Sequence, residues 1–208
     1  MQGIRLAGLD PAKMRDATGL VIIDVINRDI KVQSAKQWFK TDYYTMEGKV
    51  KDICHNLQVQ KLFVEVNNVG SHVFETLKRY DVPVYPIQTV TTIHDVKKLN
   101  SGKFLSKPDI VGYALKLVQE DRLKFPNAKS QDMLELKRQF AQFQETITPS
   151  GVPRYEAPPG AHDDLMMAML LAIHGARQWL KTEFTLKMSL GPNPSGYVNK
   201  THKSKRIY

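Results

Sequence analysis

Four carboxylates stand where a folded chain has little use for charge. Asp10 ends the apolar run 4–9, Glu65 interrupts 62–66, and Asp163 and Asp164 open the almost wholly apolar stretch 165–173. A charge left unpaired in a low-dielectric setting costs several kcal/mol or shifts its pKa until it is neutral. Recurrence of the pattern in one small chain implies a compensating cation, and hard divalent ions prefer carboxylate oxygens. Two such ions about 3.5–4 Å apart clamp a scissile phosphate, one activating water and the other stabilising the leaving oxygen. The pattern points to a metal-dependent active site, with a nuclease as the first reading.

The spacing says where these groups can meet. On the first strand Ile4, Leu6, Gly8 and Asp10 share a face, and on the strand 61–66 Glu65 shares one with Phe63. If those strands are neighbours, both carboxylates reach the sheet centre, and the last helix needs only to deliver its start there. Each residue has a plainer alternative. Asp10-Pro11 reads as a strand-ending turn, and Asp163 as an N-cap with Asp164 complementing the helix dipole. Glu65, between Val64 and Val66, would need a cationic partner from elsewhere.

The elements that must position them follow from periodicity and turn chemistry. Residues 3–10, 19–26 and 30–39 read as three strands separated by the turns 16–19 and 27–29, an antiparallel meander. A helix over 45–58, a strand 61–66, a helix 71–80 and a strand 82–87 then alternate, which implies parallel pairing. The expected fold is α/β, a mixed sheet whose first three strands are antiparallel and whose later ones are parallel, flanked by helices. Residues 88–107 read as a basic loop, and Pro108 suits the start of a helix reaching about Leu123. A short helix or a helix-to-strand transition at 130–141, a hairpin 143–148 and 152–156, and a helix 163–181 complete the order. The domain spans 1–183, and 184–208 form an irregular basic C-terminal tail.

The chain has 208 residues, enough for one domain with a sizeable core. Its net charge of +9 favours a polyanionic partner such as nucleic acid. Lys97, Lys98, Lys103 and Lys107 are candidate phosphate contacts, or simply a solvated loop. The single Cys54 forms no internal disulfide. No run approaches the roughly 18 apolar residues of a membrane span, and no secretory signal opens the chain.

Three stretches, in this order, resemble the nuclease domain of viral large terminases, the DNA-packaging proteins of tailed phages. They are Gly8-Leu9-Asp10-Pro11-Ala12 with Asp16-Ala17-Thr18, then Val64-Glu65-Val66-Asn67-Asn68-Val69-Gly70, then Ala161-His162-Asp163-Asp164-Leu165 leading into Ala168. Ser106-Lys107, Arg122 to Pro126, and Leu136 with Phe140 also look like the family pattern, and the resemblance covers residues 3–178. It implies an RNase H-like, RuvC-related fold. It also implies that Asp10, Glu65, Asp163 and Asp164 bind Mg²⁺ or Mn²⁺, two ions once substrate is present. The implied activity is cleavage of concatemeric double-stranded DNA in the host cytoplasm. The implied partners are the terminase ATPase domain, the small terminase subunit and the portal, with no membrane. Asp16 is then an outer-shell carboxylate or a turn residue. His162 is a phosphate or metal-shell contact, or a helix-start hydrogen bond.

One departure is large. Neither Gly48-Lys49 nor Gly102-Lys103 fits a P-loop, so the family's ATPase is not in this sequence; the chain reads as an excised nuclease domain or a stand-alone nuclease, with excision the expectation. The rivals are a RuvC-type Holliday-junction resolvase, which would prefer four-way junctions, and a non-catalytic DNA-binding or docking module. The latter would be expected to carry a broken acidic set.

Overall fold

The computed structural model describes residues 3–12, 17–67, 69–90, 103–148, 151 and 153–189. β1 (Ile4–Asp10), β2 (Ala17–Ile26) and β3 (Asp29–Phe39) form the expected antiparallel meander. Asn27 and Arg28 both take left-handed backbone angles, φ 50° and 82°, the two-residue hairpin geometry that matches strand twist. α1 (Tyr43–Asn56) starts where the Asp42 carboxylate accepts from the Thr45 amide at 2.9 Å. β4 (Lys61–Glu65), α2 (Gly70–Arg79) and β5 (Val84–Val90) follow, with β4 parallel to both β1 and β5.

The stretch expected to be a basic loop is partly strand. β5 runs on to Val90, and β6 (Phe104–Ser106) pairs with it in parallel. Lys97 and Lys98 lie outside the described residues, as does Asp16. α3 (Lys107–Gln119) ends earlier than its apolar pattern suggests, because Asp121 turns the backbone to φ 54°. Leu123, expected in that helix, instead forms β7 (Leu123–Lys124), which adds to β3 in parallel and buries the leucine at the sheet edge. α4 (Gln131–Gln142), the hairpin β8 (Gln144–Ile147) and β9 (Pro153–Glu156), and α5 (Asp164–Ser189) complete the chain. The helical backbone of α5 passes the expected end at 181 and continues to Ser189.

The sheet order is β6-β5-β4-β1-β2-β3-β7. One face packs Leu6, Val21, Ile23 and Phe63 against α5, with α3 and α4 behind it. That double cover explains why residues 165–173 have no polar side: this stretch of α5 is buried all round. The other face sets Ala7, Leu9, Leu62 and Val64 against Met46 and Val50 of α1 and Val73 and Leu77 of α2. Strands β1, β4, β5 and β6 all point the same way, so their carboxyl ends gather along one margin. From β1 the chain turns to β2 on one side and reaches β4 on the other, and a crevice opens at such a switch point.

Candidate active site

Asp10 closes β1 and Glu65 closes β4, and the register Leu9↔Val64 brings the two carboxylates side by side. The last helix must then come very near the sheet. Gly8 of β1 and Gly19 of β2 make this possible. A methyl group on Gly8 would lie 2.0 Å from the Ala168 carbonyl oxygen, and one on Gly19 would lie 2.4 Å from that of Asp164. The absence of side chains there sets α5 down on β1 and β2 with its first residue beside Asp10.

At the start of α5 the free amides find an acceptor other than Asp163. The amides of Leu165 and Met166 both donate to the Oε1 atom of Gln139, at 2.9 and 3.1 Å. Gln139 is buried in α4, and its own amide nitrogen donates to Glu135, which Arg138 also holds. A side chain from another helix therefore takes the free amides that Asp163 would cap. Asp163 and Asp164 are left with their carboxylates turned to the crevice. Asp163 lies 3.8 Å from Lys107 Nζ, and Asp164 accepts from Gln37 Nε2 at 3.3 Å, with His162 Nδ1 at 3.6 Å. The His162 ring meets Phe39 edge-on at 5.6 Å.

On the opposite wall, Asn67 Nδ2 donates to Glu65 Oε1 at 3.0 Å and the Thr89 hydroxyl donates to the same atom. Asn67 also donates to the Thr89 hydroxyl and carbonyl oxygens at 2.7 and 3.1 Å, which locks the orientation of Glu65. Asp10, Glu65, Asn67, His162, Asp163 and Asp164 all line one cavity of about 480 Å³.

The electrostatics are those of crowded like charges. Burial pushes the Asp10 carboxyl well above the usual carboxylate range. The charge of Glu65 and a hydrogen bond with it raise it further, and Asp164 and Asp163 add to the rise. Burial pushes Asp164 up to about 6. The His162 ring and Gln37 work against that rise, and Asp163 works with it.

The sequence reading thus finds Asp10, Glu65, His162, Asp163 and Asp164 in one place. Lys107 joins them at the rim, whereas Lys103 precedes β6, about 10 Å away at the other end of that strand. Gln37, Thr89 and Gln139 were not anticipated: each is an ordinary polar residue in its own segment, placed only by tertiary pairing.

The donor set is all hard oxygen, which suits Mg²⁺ or Mn²⁺ and not a thiolate-seeking ion. Among the described residues no group of three or more His, Cys, Asp or Glu side chains is arranged to hold a metal ion. The carboxylates are grouped by contact instead, Asp10 with Glu65, Asp163 with Lys107, and Asp164 with Gln37 and His162. An ion held by one or two of them, with water or phosphate oxygens completing its shell, matches the way Mg²⁺ is usually bound.

Comparison with known proteins agrees with this architecture. The profile of the terminase RNaseH-like domain matches residues 7–175. The fold is similar to the large terminase nuclease of thermophilic phage G20c, with a TM-score of 0.64 and 17% identity over 82% of this chain and 81% of that one. It is also similar to the P22 large terminase nuclease domain, with a TM-score of 0.60 and 11% identity over 84% of this chain and 82% of that one. The HK97 bacteriophage large terminase matches with a TM-score of 0.60 and 12% identity over 84% of this chain but 40% of its own. At such identities the likeness is one of fold. No curated protein matches the sequence.

Proposed function

The chain belongs to the terminase RNaseH-like domain family, and from that premise we propose that it is a divalent-metal-dependent endonuclease cutting concatemeric double-stranded DNA during genome packaging. The observation that carries the reading is the convergence of Asp10, Glu65, Asp163 and Asp164 on one cavity, where Asp10 is crowded by carboxylates. A cation relieves that crowding. The G20c large terminase nuclease has been solved with bound magnesium and with bound cobalt, which supports a divalent ion as the relieving cation.

The four carboxylates would hold two Mg²⁺ or Mn²⁺ ions. Bound there, the ions supply Lewis-acid activation of water and neutralise the charge developing on the phosphate. The chain's own groups prepare the cavity. Asn67 and Thr89 fix Glu65, Gln37 fixes Asp164, and Gln139 keeps the α5 amides from drawing in Asp163. Lys107 places a positive charge at the rim, where a phosphate would enter. Asp16 and His162 are proposed as outer contributors. DNA, the packaging ATPase, the small terminase subunit and the portal are the proposed partners, in the host cytoplasm. Among the described residues no helix is long and apolar enough to cross a membrane.

Supercoiled plasmid incubated with Mg²⁺, Mn²⁺ or EDTA tests the proposal. Nicking and linearisation should require metal and disappear in Asp10→Asn and Asp164→Asn. Cutting that survives either substitution, or proceeds in EDTA, would overturn the assignment.

A further inference from the structure

A second cavity, about 720 Å³ and larger than the acidic one, carries the opposite charge. Arg28, Lys116, Arg122, Arg177 and Lys181 line it, with Asp109 as the one lining carboxylate among the described residues. We propose that this basic cavity is a phosphodiester-binding site that holds the DNA backbone at a distance from the cut, an inference that rests on the nuclease reading above.

Three observations support it. The first is that the cations are held in place. Arg122 donates through Nε and Nη2 to the Arg28 carbonyl oxygen at 3.1 and 2.6 Å, and through Nη1 to Glu120 at 2.8 Å. The Arg177 guanidinium lies 4.9 Å from the centre of the Tyr113 ring and bonds Asp109. Guanidinium groups fixed in this way lose little freedom when a phosphate arrives.

The second is continuity. Pro108 borders both this cavity and a smaller one of about 320 Å³ lined by Lys107, Arg154 and Asp163. Asp163 and Ala161 in turn wall the acidic cavity. The three form one track, changing sign from carboxylates at the site of cutting to cations beyond it. The third is distance. Arg177 follows Asp164 on α5 by 13 positions, or about 20 Å of helix. That is roughly the rise of six base pairs, so one duplex can engage both ends.

Binding of fluorescent duplexes of about 8 and about 24 base pairs, measured over a salt series in an Asp10→Asn background, tests the assignment. Lys116 and Arg28 are exposed, so Lys116→Gln with Arg28→Gln leaves the core intact. The double variant should lose about tenfold in affinity for the long duplex. The slope of log K against log salt should fall by about one per cation removed. The short duplex, at about 27 Å still long enough to span both ends, should lose affinity as well, Arg28→Lys should restore most of the loss, and in the cutting enzyme KM should rise with kcat held. Lys51→Gln, on the opposite face of the sheet, serves as the unaffected control.

Unchanged long-duplex affinity and slope would overturn the proposal. So would tight binding of inorganic pyrophosphate that vanishes in the double variant while duplex affinity stays, since the site would then serve a free phosphate ligand. The same would follow if duplex binding were intact and only an acidic protein partner were lost. A wild-type chain that fails to cut with either metal strikes instead at the nuclease reading, so the two failures are distinguishable.

Discussion

Two carboxylates, Glu47 buried on one side of the sheet and Asp10 half-buried at the end of β1, differ in the company they keep. Glu47 of α1 is 3% exposed, and among the described residues its Oε1 has no hydrogen-bond partner. Burial raises its pKa, but its neighbours pull the other way. His72 lies 3.9 Å away and, with a Thr76 hydrogen bond and Arg79, pulls the value back down. Asp10 is raised by burial too, and there each further contribution comes from another carboxylate and pushes the same way. Burial alone therefore does not mark a functional acid. The sign of the neighbours is the better guide, because a cation bound beside Asp10 would offset every contribution that its carboxylate neighbours make.

The contrast can be broken most visibly by neutralising each acid in turn. Asp10→Asn should lower the metal-dependent cleavage rate by about 10²–10³-fold or more, whereas Glu47→Gln should leave it unchanged. Equal losses in a plasmid assay would erase the distinction. Thermal melting gives the next largest effect. Mg²⁺ at about a hundred times its Kd should stabilise the wild type by about 2.7 kcal/mol. Asp10→Asn should lose that increment while melting higher than the wild type in EDTA, and Glu47→Gln should keep it.

Gln139→Leu strips the α5 amides of their acceptor and should cost about 1–3 kcal/mol in denaturant unfolding. Cleavage should fall with it, as Asp163 turns back to cap its own helix. The pH dependence is smaller and has a definite sign. Asp164 titrates at about 6 in the fold, above the ordinary value of 3.8. Between those values the native state binds the extra proton, so metal-free stability should fall as pH rises from about 4 to 6. Asp164→Asn should flatten that slope, and a metal-induced rise in Tm should weaken below pH 6 as protons compete. Glu47→Gln should change stability least, by about 1 kcal/mol or less.

Much of this was legible in the sequence because the signals were local. The meander is written in alternation and turn residues, and the four carboxylates stand out against apolar runs. What was hidden depends on partners far along the chain. β6 and β7 are three and two residues long, too short for a period, and exist only because β5 and β3 offer an edge. Pro86 argues for ending β5 early. It is tolerated because, among the described residues, β6 first bonds the sheet beyond it, at Gln88, whose amide meets the Lys103 carbonyl. The N-cap reading of Asp163 fails for the same reason: nothing near it announces that Gln139 will take the amides first.

That cap also has a meaning in time. The acidic cavity draws Asp10 from the first strand and Asp164 from the last helix, and Gln139, which settles the helix start, comes from the helix before it. Local pieces of the chain fold early, and contacts between distant segments come late because loop closure must be met first. A chain still emerging from the ribosome, or one cut short before Asp164, thus carries no assembled acidic centre. On the proposed nuclease reading, cutting capacity would arrive only with the final helix.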